Sequence, residues 1–230
     1  DAILSRGLGD VYKRQDKEAY DRFLSLEMIW PDNALLRAYV LSPRLGQISA
    51  NLLEVSAVRL YHDNVLAKQS GCGRTPWHFD DHHFPLDTND VVTAWAPAQP
   101  TPIEMGPLSF AYPLDVHELI KDVTFEKTGT GYDREVSNIF SKNNVSVNAT
   151  PFELGEVSFH HNLNFHTASS NRTNCSRIAL ANTYYRDGAR VINSPTMVSG
   201  DWQKFMPNVK PGDIAASPLN PICWPVKSEI

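Results

Sequence analysis

Two groups of histidines, far apart in the sequence, contain the residues most able to do chemistry. The first group includes His78, followed two residues later by Asp80, and the second contains His160, His161 and His166. Two imidazoles and one carboxylate can cap one face of an octahedral iron(II), which leaves three positions for other ligands. Residues i and i+2 of an extended segment point to the same side, so His78 and Asp80 can reach one metal ion.

Three histidines compete for the third position of this predicted metal site. His166 is followed by a turn-forming stretch over residues 167–171 and then by a strand that contains Arg177. We expect a hairpin about this loop to bring Arg177 beside the strand that ends at His166. A guanidinium there can clamp a carboxylate in a bidentate way. Because His160 and His161 have no such partner at that distance, His166 is the predicted ligand.

The residues that follow Asp80 have predicted roles outside the metal site. Asp81 lies three residues after His78, so its side chain is expected to point away from the metal. His82 and His83 lack a carboxylate at the matching offset and are expected to be structural or to lie at the rim of the pocket. Together with Phe84 they are candidates for contact with a substrate.

The composition indicates one globular domain and argues against nucleic-acid and membrane partners. The chain has 230 residues, of which 42% are hydrophobic and 20% are charged. Its net charge is −5 and no basic block occurs, which argues against a nucleic-acid partner. No apolar run approaches the ~18 residues that cross a membrane. Three separated cysteines without a CxxC pair fit a reducing compartment, so a cytoplasmic location is expected. Nothing in the sequence indicates an oligomeric state.

The beginning of the chain does not read as natural protein sequence. Residues 10–15 correspond to the translation of a transposon-end sequencing adaptor, so we expect residues 1–15 to be a foreign scar outside the fold. The single domain is then expected over residues 16–230, with part of its natural N-terminus missing.

Apolar periodicity predicts several helices and a larger number of short strands. The predicted helices cover residues 16–28, 33–41, 43–53, 115–121 and 133–141. The predicted strands cover residues 55–66, 91–98, 107–112, 145–152, 156–161, 178–186 and 189–192, and an irregular tail begins at residue 194. Short strands separated by turns, without a Gly-rich loop between strand and helix, favour an antiparallel sandwich or barrel.

Several sequence blocks resemble, in order, the phytanoyl-CoA dioxygenase family. They are TPWHFD (residues 75–80), VTAW (92–95), GPL (106–108), LGEVSF (154–159), FH (165–166), NR (171–172) and Arg177. The resemblance runs from about residue 55 to the segment 210–213. It implies a mainly β fold with flanking helices, the double-stranded β-helix or cupin-like jelly roll. It also implies iron(II), 2-oxoglutarate and O2, and hydroxylation of a small organic substrate with succinate and CO2 as coproducts.

The resemblance assigns roles to individual residues. It makes His78, Asp80 and His166 the iron ligands and Arg177 the partner of the distal carboxylate of 2-oxoglutarate. Trp95 matches a tryptophan that lines the cosubstrate pocket, and Asn64 falls where the family places a side chain that contacts the cosubstrate.

Two positions depart from the family pattern. Phe79 stands between the first two ligands, where the family often has Gln, and Ala168 stands where it often has Ser. Each change removes a polar contact worth roughly 0.5–3 kcal/mol. We therefore expect weaker binding of 2-oxoglutarate unless Ser169 replaces the missing hydroxyl.

Two other functions are compatible with the same residues. One is a cupin-like metal enzyme that does not use 2-oxoglutarate, which the presence of Arg177 and Trp95 disfavours. The other is a non-catalytic binding protein with a jelly-roll fold, since a fold does not determine a function. Such a protein has no need of the His-x-Asp…His pattern.

Overall fold

The computed structural model describes residues 22–124, 131–193 and 201–226. The segment expected to be foreign, residues 1–15, and the first part of the helix predicted over 16–28 lie outside the described residues. In chain order the elements are β1 (Phe23–Glu27), α1 (Ala34–Val40), α2 (Pro43–Leu52), β2 (Val58–Lys68), β3 (Thr75–His78), β4 (Val91–Pro97), β5 (Leu108–Tyr112), α3 (Val116–Ile120), α4 (Gly131–Asn143), β6 (Ser146–Ala149), β7 (Ser158–His161), β8 (His166–Ala168), β9 (Arg177–Arg186) and β10 (Ile222–Trp224). Short 3-10 turns cover Trp30–Asp32, Asp81–His83, Ile103–Met105 and Trp202–Lys204.

The two helices at the start of the fold have the predicted bounds because local signals define their ends. The side chain of Asn33 caps α1 by accepting hydrogen bonds from the backbone N–H groups of Leu35 and Leu36. Pro43 occupies the first position of α2, where its missing N–H and fixed φ suit a helix start. The predicted helices over 33–41 and 43–53 are therefore confirmed, as are α3 and α4 later in the chain.

The strands form two antiparallel sheets. The larger has the order β1-β2-β9-β4-β7, with β10 also paired to β2, and the smaller has the order β3-β8-β5-β6. Trp95 and Ala181 of the larger sheet pack in one apolar cluster with Leu108 and Ala168 of the smaller sheet. The two sheets therefore face each other, and the predicted jelly-roll fold is confirmed.

Helices cover the outer faces of this sandwich. Val40 and Leu45 from α1 and α2 pack on Leu60 and Tyr184 of the larger sheet. The Tyr184 hydroxyl also donates a hydrogen bond of 2.7 Å to the carbonyl oxygen of Val40. Helix α4 packs on the smaller sheet in the same way, so helices cover both sheets of the sandwich. Within the described residues, no helix has the length and apolar character needed to cross a membrane.

The helix predicted over residues 16–28 is wrong where the structure describes it, because Phe23–Glu27 is strand β1. Phe23, Leu24 and Met28 have helical spacing, but β1 pairs in register with β2 from Phe23 opposite Lys68 to Glu27 opposite Asn64. Its alternate side chains then face the interior of the sandwich. Pairing with a neighbouring strand has outweighed the local periodicity.

Two further strand predictions need correction. The segment predicted as a strand over 189–192 forms only isolated bridges, from Leu86 to Val191 and from Arg190 to Ile214. Conversely, the tail predicted as irregular contains β10, which adds to the larger sheet.

The hairpin predicted to join His166 to Arg177 is also wrong. His166 begins β8, which pairs with β3 and β5 in the smaller sheet. Arg177 begins β9, which pairs with β2 and β4 in the larger sheet. The connection crosses from one sheet to the other, and the side chain of Asn171 fixes it by donating to the carbonyl oxygens of Lys68 and Cys175.

Candidate active site

The side chains of His78, Asp80 and His166 converge at one point between the sheets. Each offers one ligand atom, and these three atoms lie within 4.8 Å of one another. Asp80 Oδ1 is 3.7 Å from His78 Nε2 and 3.8 Å from His166 Nε2. The pairing of β3 with β8 places the two histidines opposite each other, and Asp80 immediately precedes the 3-10 turn Asp81–His83. The arrangement suits a metal ion with two imidazole ligands and one carboxylate ligand.

Hydrogen bonds to the backbone fix the orientation of both imidazoles. Nδ1 of His78 is 2.8 Å from the carbonyl oxygen of Pro76, and Nδ1 of His166 is 2.8 Å from that of Asn164. A carbonyl only accepts, so each Nδ1 carries the proton and each Nε2 presents its lone pair to the shared point. In this tautomer Nε2 is free to bind a metal while the other ring nitrogen is held by a hydrogen bond, as is usual for metal-binding histidines.

The ionisation of the three groups is also suited to a cation. Burial raises the pKa of the Asp80 carboxyl, but the surrounding His166, His160 and His78 lower it by more, so the carboxylate is ionised. Burial and the neighbouring His78 hold the pKa of His166 well below its usual value, so this imidazole is neutral. A neutral imidazole and an ionised carboxylate are the forms that bind a metal.

The other two candidates for the third position, His160 and His161, are not part of this cluster. His160 is buried, and its Nε2 lies 3.3 Å from Asp80 Oδ2, whereas the two ligand nitrogens are nearest to Oδ1. His161 is the next residue of β7, and its Nδ1 accepts a hydrogen bond from the backbone N–H of Leu163. Among the described residues, the group that could hold one metal ion therefore consists of the three residues that the sequence predicts.

Arg177 presents a buried and incompletely paired guanidinium to the same interior. The residue is 2% exposed, and its Nη1 donates a hydrogen bond of 2.7 Å to the carbonyl oxygen of Gly106. Its Nε has no hydrogen-bond partner among the described residues, and no described carboxylate influences its pKa, which burial lowers to about 10. The guanidinium lies 5.3 Å from the ring of Trp95, whose Nε1 is likewise a buried donor without a described partner.

One cavity of about 150 Å³ joins these features. The six residues predicted to bind iron or cosubstrate all line it: Asn64, His78, Asp80, Trp95, His166 and Arg177. The hydroxyl of Ser25, which also lines the cavity, donates a hydrogen bond of 2.9 Å to Asn64 Oδ1. At about 10–15 Å³ for each water-sized group, the cavity has room for roughly ten such groups. A small dicarboxylate contains about that number of non-hydrogen atoms.

The two positions that depart from the family pattern lie in different environments. Ala168 is buried and lines the cavity. Phe79 does not line it and instead contacts the rings of His82, His117 and Phe165 on the side of α4. Ser169 is not among the lining residues, so its side chain does not take the place of a hydroxyl at position 168.

Of the residues that follow Asp80, some line the cavity and others do not. His83 and Phe84 line the cavity, as expected of substrate-side candidates, whereas His82 is exposed and does not. Asp81 Oδ1 accepts a hydrogen bond of 2.9 Å from Asn162 Nδ2, so it supports the turn from outside the metal site, as expected.

Several cavity residues were not identified from the sequence. They are Phe23, Ser25 and Glu27 of β1, His62 and Leu66 of β2, Thr93 of β4, Ala181 and Thr183 of β9, and Phe205. Side chains alternate along β2 and β9, which places His62 and Thr183 on the inner face. Their two-residue spacing from other inner-face positions could therefore have predicted that they line the cavity. For β1 that signal was hidden by the helical spacing of its apolar residues.

Lys68 is another residue near the site that the sequence did not identify, and it is only 1% exposed. Its Nζ donates to the carbonyl oxygens of Gly73, Ala168 and Ser169 at 2.9–3.1 Å. Burial, with Arg177 nearby, lowers its pKa well below the usual value. This side chain ties the end of β8 to β2 beside Arg177. The sequence offered one indication of its buried position, which is a single lysine next to a predicted strand.

Comparisons with known proteins agree on a family and a fold. The profile of the phytanoyl-CoA dioxygenase family matches residues 9–179. The solved structure of the non-haem alpha-ketoglutarate-dependent carbocyclase SnoK from nogalamycin biosynthesis is similar, with 22% identity, a TM-score of 0.69, and coverage of 87% of this chain and 76% of that one.

Two further solved structures are similar. The epimerase SnoN in complex with Fe3+, alpha-ketoglutarate and nogalamycin RO is 18% identical, with a TM-score of 0.65 and coverage of 88% and 78%. EctD from S. alaskensis with 2-oxoglutarate and 5-hydroxyectoine is 14% identical, with a TM-score of 0.64 and coverage of 84% and 67%. At these identities the likeness concerns the fold alone. No curated protein matches the chain significantly.

Proposed function

Because the chain belongs to the phytanoyl-CoA dioxygenase family, we propose that this enzyme is an iron(II)- and 2-oxoglutarate-dependent oxygenase that hydroxylates a small organic substrate. His78, Asp80 and His166 hold the iron, and Arg177 binds the distal carboxylate of 2-oxoglutarate. Trp95 and Asn64 line the cosubstrate pocket. Iron(II) held there would let O2 react with 2-oxoglutarate and the substrate: one oxygen atom would go to succinate with release of CO2, and the other would form the hydroxyl group of the product.

The observation that carries this proposal is the buried Arg177 guanidinium in the same cavity as the His-Asp-His cluster. A buried cation without an anionic partner is costly. Arg177 lines the cavity beside Trp95, and no carboxylate among the described residues pairs with its guanidinium, which fits a carboxylate supplied by a ligand. A cupin-like metal enzyme without 2-oxoglutarate, or a non-catalytic binding protein, has no use for such a guanidinium beside a metal site.

The arrangement along the strands supports an order for the bound molecules. Arg177 and Thr183 both line the cavity from β9, and six residues of strand separate their Cα atoms by roughly 20 Å. Thr183 lies opposite Thr93, and Thr93 lies opposite His160, which contacts Asp80. The metal site is therefore at the Thr183 end, and the long side chain of Arg177 extends toward it from the other end. 2-Oxoglutarate fits between them.

The substrate then occupies the part of the cavity beyond the metal site. This part combines polar and aromatic side chains: Glu27, His62, His83, Phe84 and Phe205. Glu27 also accepts a hydrogen bond of 2.6 Å from Lys204 Nζ, so its charge is balanced within the chain. The lining suits a small molecule with both polar groups and apolar surface. Asp80 keeps the carboxylate position of the iron filled, so we propose hydroxylation and not halogenation.

An anaerobic titration tests the cosubstrate assignment. Adding iron(II) and then 2-oxoglutarate to the protein is expected to produce a weak visible charge-transfer band. Arg177→Leu removes the carboxylate partner and should weaken 2-oxoglutarate binding about 10–100-fold, as for loss of a charge-assisted hydrogen bond of roughly 1.5–3 kcal/mol. Iron binding should be unchanged, because Arg177 is not a ligand.

Arg172→Leu is the matched control, since Arg172 is an exposed arginine in the same connection. It should bind 2-oxoglutarate as the wild type does. If the wild type gives no band and no succinate with any substrate mixture, the cosubstrate assignment is wrong. If His166→Ala also binds iron as tightly as the wild type, the metal site is wrong too.

A further inference from the structure

His160 is a buried imidazole beside the metal site whose role the proposed function leaves open. It is 4% exposed, and its ring lies 4.6 Å from that of His166 and 5.5 Å from that of Phe110. Its Nε2 is 3.3 Å from Asp80 Oδ2. Its Nδ1 has no hydrogen-bond partner among the described residues.

These contacts determine which nitrogen of His160 carries the proton. If Nδ1 were protonated, it would be a buried donor without a partner, and the lone pair of Nε2 would face the carboxylate. Both conditions are unfavourable. The proton is therefore on Nε2, which donates to Asp80 Oδ2. This tautomer is the reverse of the one in His78 and His166, whose Nδ1 atoms face carbonyl oxygens.

The two oxygens of Asp80 thus face different partners. Oδ1 lies 3.7 Å and 3.8 Å from the Nε2 atoms of His78 and His166, and so points to the metal position. Oδ2 is the oxygen that His160 approaches. A hydrogen bond to Oδ2 fixes the rotation of the carboxylate and keeps this oxygen away from the metal.

We propose that His160 is a positioning residue that holds Asp80 as a one-oxygen ligand of the iron. This inference rests on the proposed function. With Oδ2 occupied, Asp80 would take one coordination position, as His78 and His166 each do, and three positions would remain for 2-oxoglutarate and O2. Without His160, the carboxylate can rotate or chelate through both oxygens. His160 is not a fourth ligand, because the nitrogen nearest the site carries a proton.

Substitutions at position 160 test this inference by metal affinity. His160→Leu fills the buried site with an apolar side chain and removes the hydrogen-bond donor. It should weaken iron(II) binding about 10–100-fold, as is typical when a partner of a metal ligand is lost. His160→Gln can place an amide N–H near the position of Nε2, and should stay within about threefold of the wild type. Anaerobic titration with iron(II) measures both, and circular dichroism of the metal-free proteins checks that each variant folds.

A second measurement separates positioning from general support of the fold. The charge-transfer band formed with 2-oxoglutarate should shift or weaken in His160→Leu and return in His160→Gln, because it reports the ligands around the metal. His161→Leu is the matched control, since His161 is the adjacent histidine of β7 and does not contact Asp80; it should bind iron normally.

The possible outcomes are distinguishable from failure of the proposed function. If the wild type does not bind iron, the proposed function fails. If the wild type binds iron and His160→Leu binds it equally well with the same band, only the positioning role is overturned. If Leu and Gln abolish binding alike while both variants remain folded, His160 is itself a ligand and the inference is again wrong.

Discussion

Ala168 and Phe79 both lack the polar group that the family often has, yet only one of them lies in the cavity. Ala168 lines it beside Trp95, whereas Phe79 packs against Phe165 on the other side of the smaller sheet. The sequence alone assigns both changes the same effect, because spacing does not show which way a side chain points in an irregular segment. The structure restricts the expected loss of cosubstrate contact to position 168.

Restoring a hydroxyl at position 168 is therefore expected to strengthen cosubstrate binding. Ala168→Ser adds one hydrogen-bonding group to the pocket wall, worth about 0.5–1.5 kcal/mol, or roughly a 2–10-fold lower Kd for 2-oxoglutarate. Phe79→Gln serves as the comparison and should leave this Kd unchanged, while lowering stability through lost packing. Titration of the iron-loaded proteins measures both values. Equal tightening in the two variants would contradict the placement of Phe79 outside the cavity.

Residue types and spacing predict the candidate ligands better than they predict their surroundings. His-x-Asp and the distal His converge in the structure, although their roles in binding iron stay a prediction. Asp80 lies at the start of a 3-10 turn and not in an extended strand, since its φ and ψ of −89° and −11° are helical. The contact of His160 with Asp80 had no signal in the sequence, because it depends on the separate pairing of β7 with β4.

Among the elements, the turn before β5 links the two sheets at the cosubstrate end of the cavity. Gly106 has a φ of 75°, and a Cβ atom there would lie 2.2 Å from the carbonyl oxygen of Ser169. Its own carbonyl oxygen accepts the hydrogen bond from Arg177 Nη1. The backbone approach that glycine permits therefore helps to position the guanidinium.

Gly106→Ala is expected to lower both stability and 2-oxoglutarate affinity. Gly188→Ala is the matched control, because Gly188 has a φ of 87° and no atom within 4 Å of an added Cβ. Both variants lose about 1–2 kcal/mol from the left-handed backbone, and Gly106→Ala should lose about 1–3 kcal/mol more from the clash. Urea unfolding and cosubstrate titration measure the two effects. Equal losses would show that contact with Ser169 does not matter.

The wrong helix prediction for β1 has a physical cause. The helix predicted over β1 rests on the spacing of Phe23, Leu24 and Met28, but the polar Ser25 and Glu27 face an interior that also contains other polar side chains. A sandwich that encloses a ligand site weakens the alternation of apolar and polar residues on which strand prediction depends. The hairpin error has a related origin, since turn residues show where the chain bends but not which sheet it enters.

At the scale of the whole molecule, the two parts of the candidate site belong to different sheets. His78 and His166 belong to the smaller sheet, and Asp80 follows directly from it, whereas Arg177, Trp95 and Asn64 belong to the larger sheet. The family suggested by the order of the motifs is confirmed by the family match over residues 9–179. Local patterns could not predict this division, because it follows from the order of strands in the two sheets.

A ligand that binds both parts should stabilise the whole sandwich more than one that binds a single sheet. With cobalt(II) as an oxygen-stable substitute for iron, 2-oxoglutarate at 100 times its Kd should add about 2.7 kcal/mol to the stability of the metal-loaded protein. For a chain of this size that is a rise in Tm of roughly 5–10 °C. After metal removal with EDTA, the same 2-oxoglutarate should raise Tm far less, because only the contact with Arg177 remains.

Glutarate separates the two attachments, because it has both carboxylates but lacks the keto oxygen needed to chelate the metal. It should raise the Tm of the metal-loaded protein less than 2-oxoglutarate does, and its effect should disappear in Arg177→Leu. A 2-oxoglutarate effect that persists unchanged in EDTA would mean that the dicarboxylate is held by the larger sheet alone. The two sheets would then not be joined through the metal, and the order proposed for cosubstrate and iron along the cavity would be wrong.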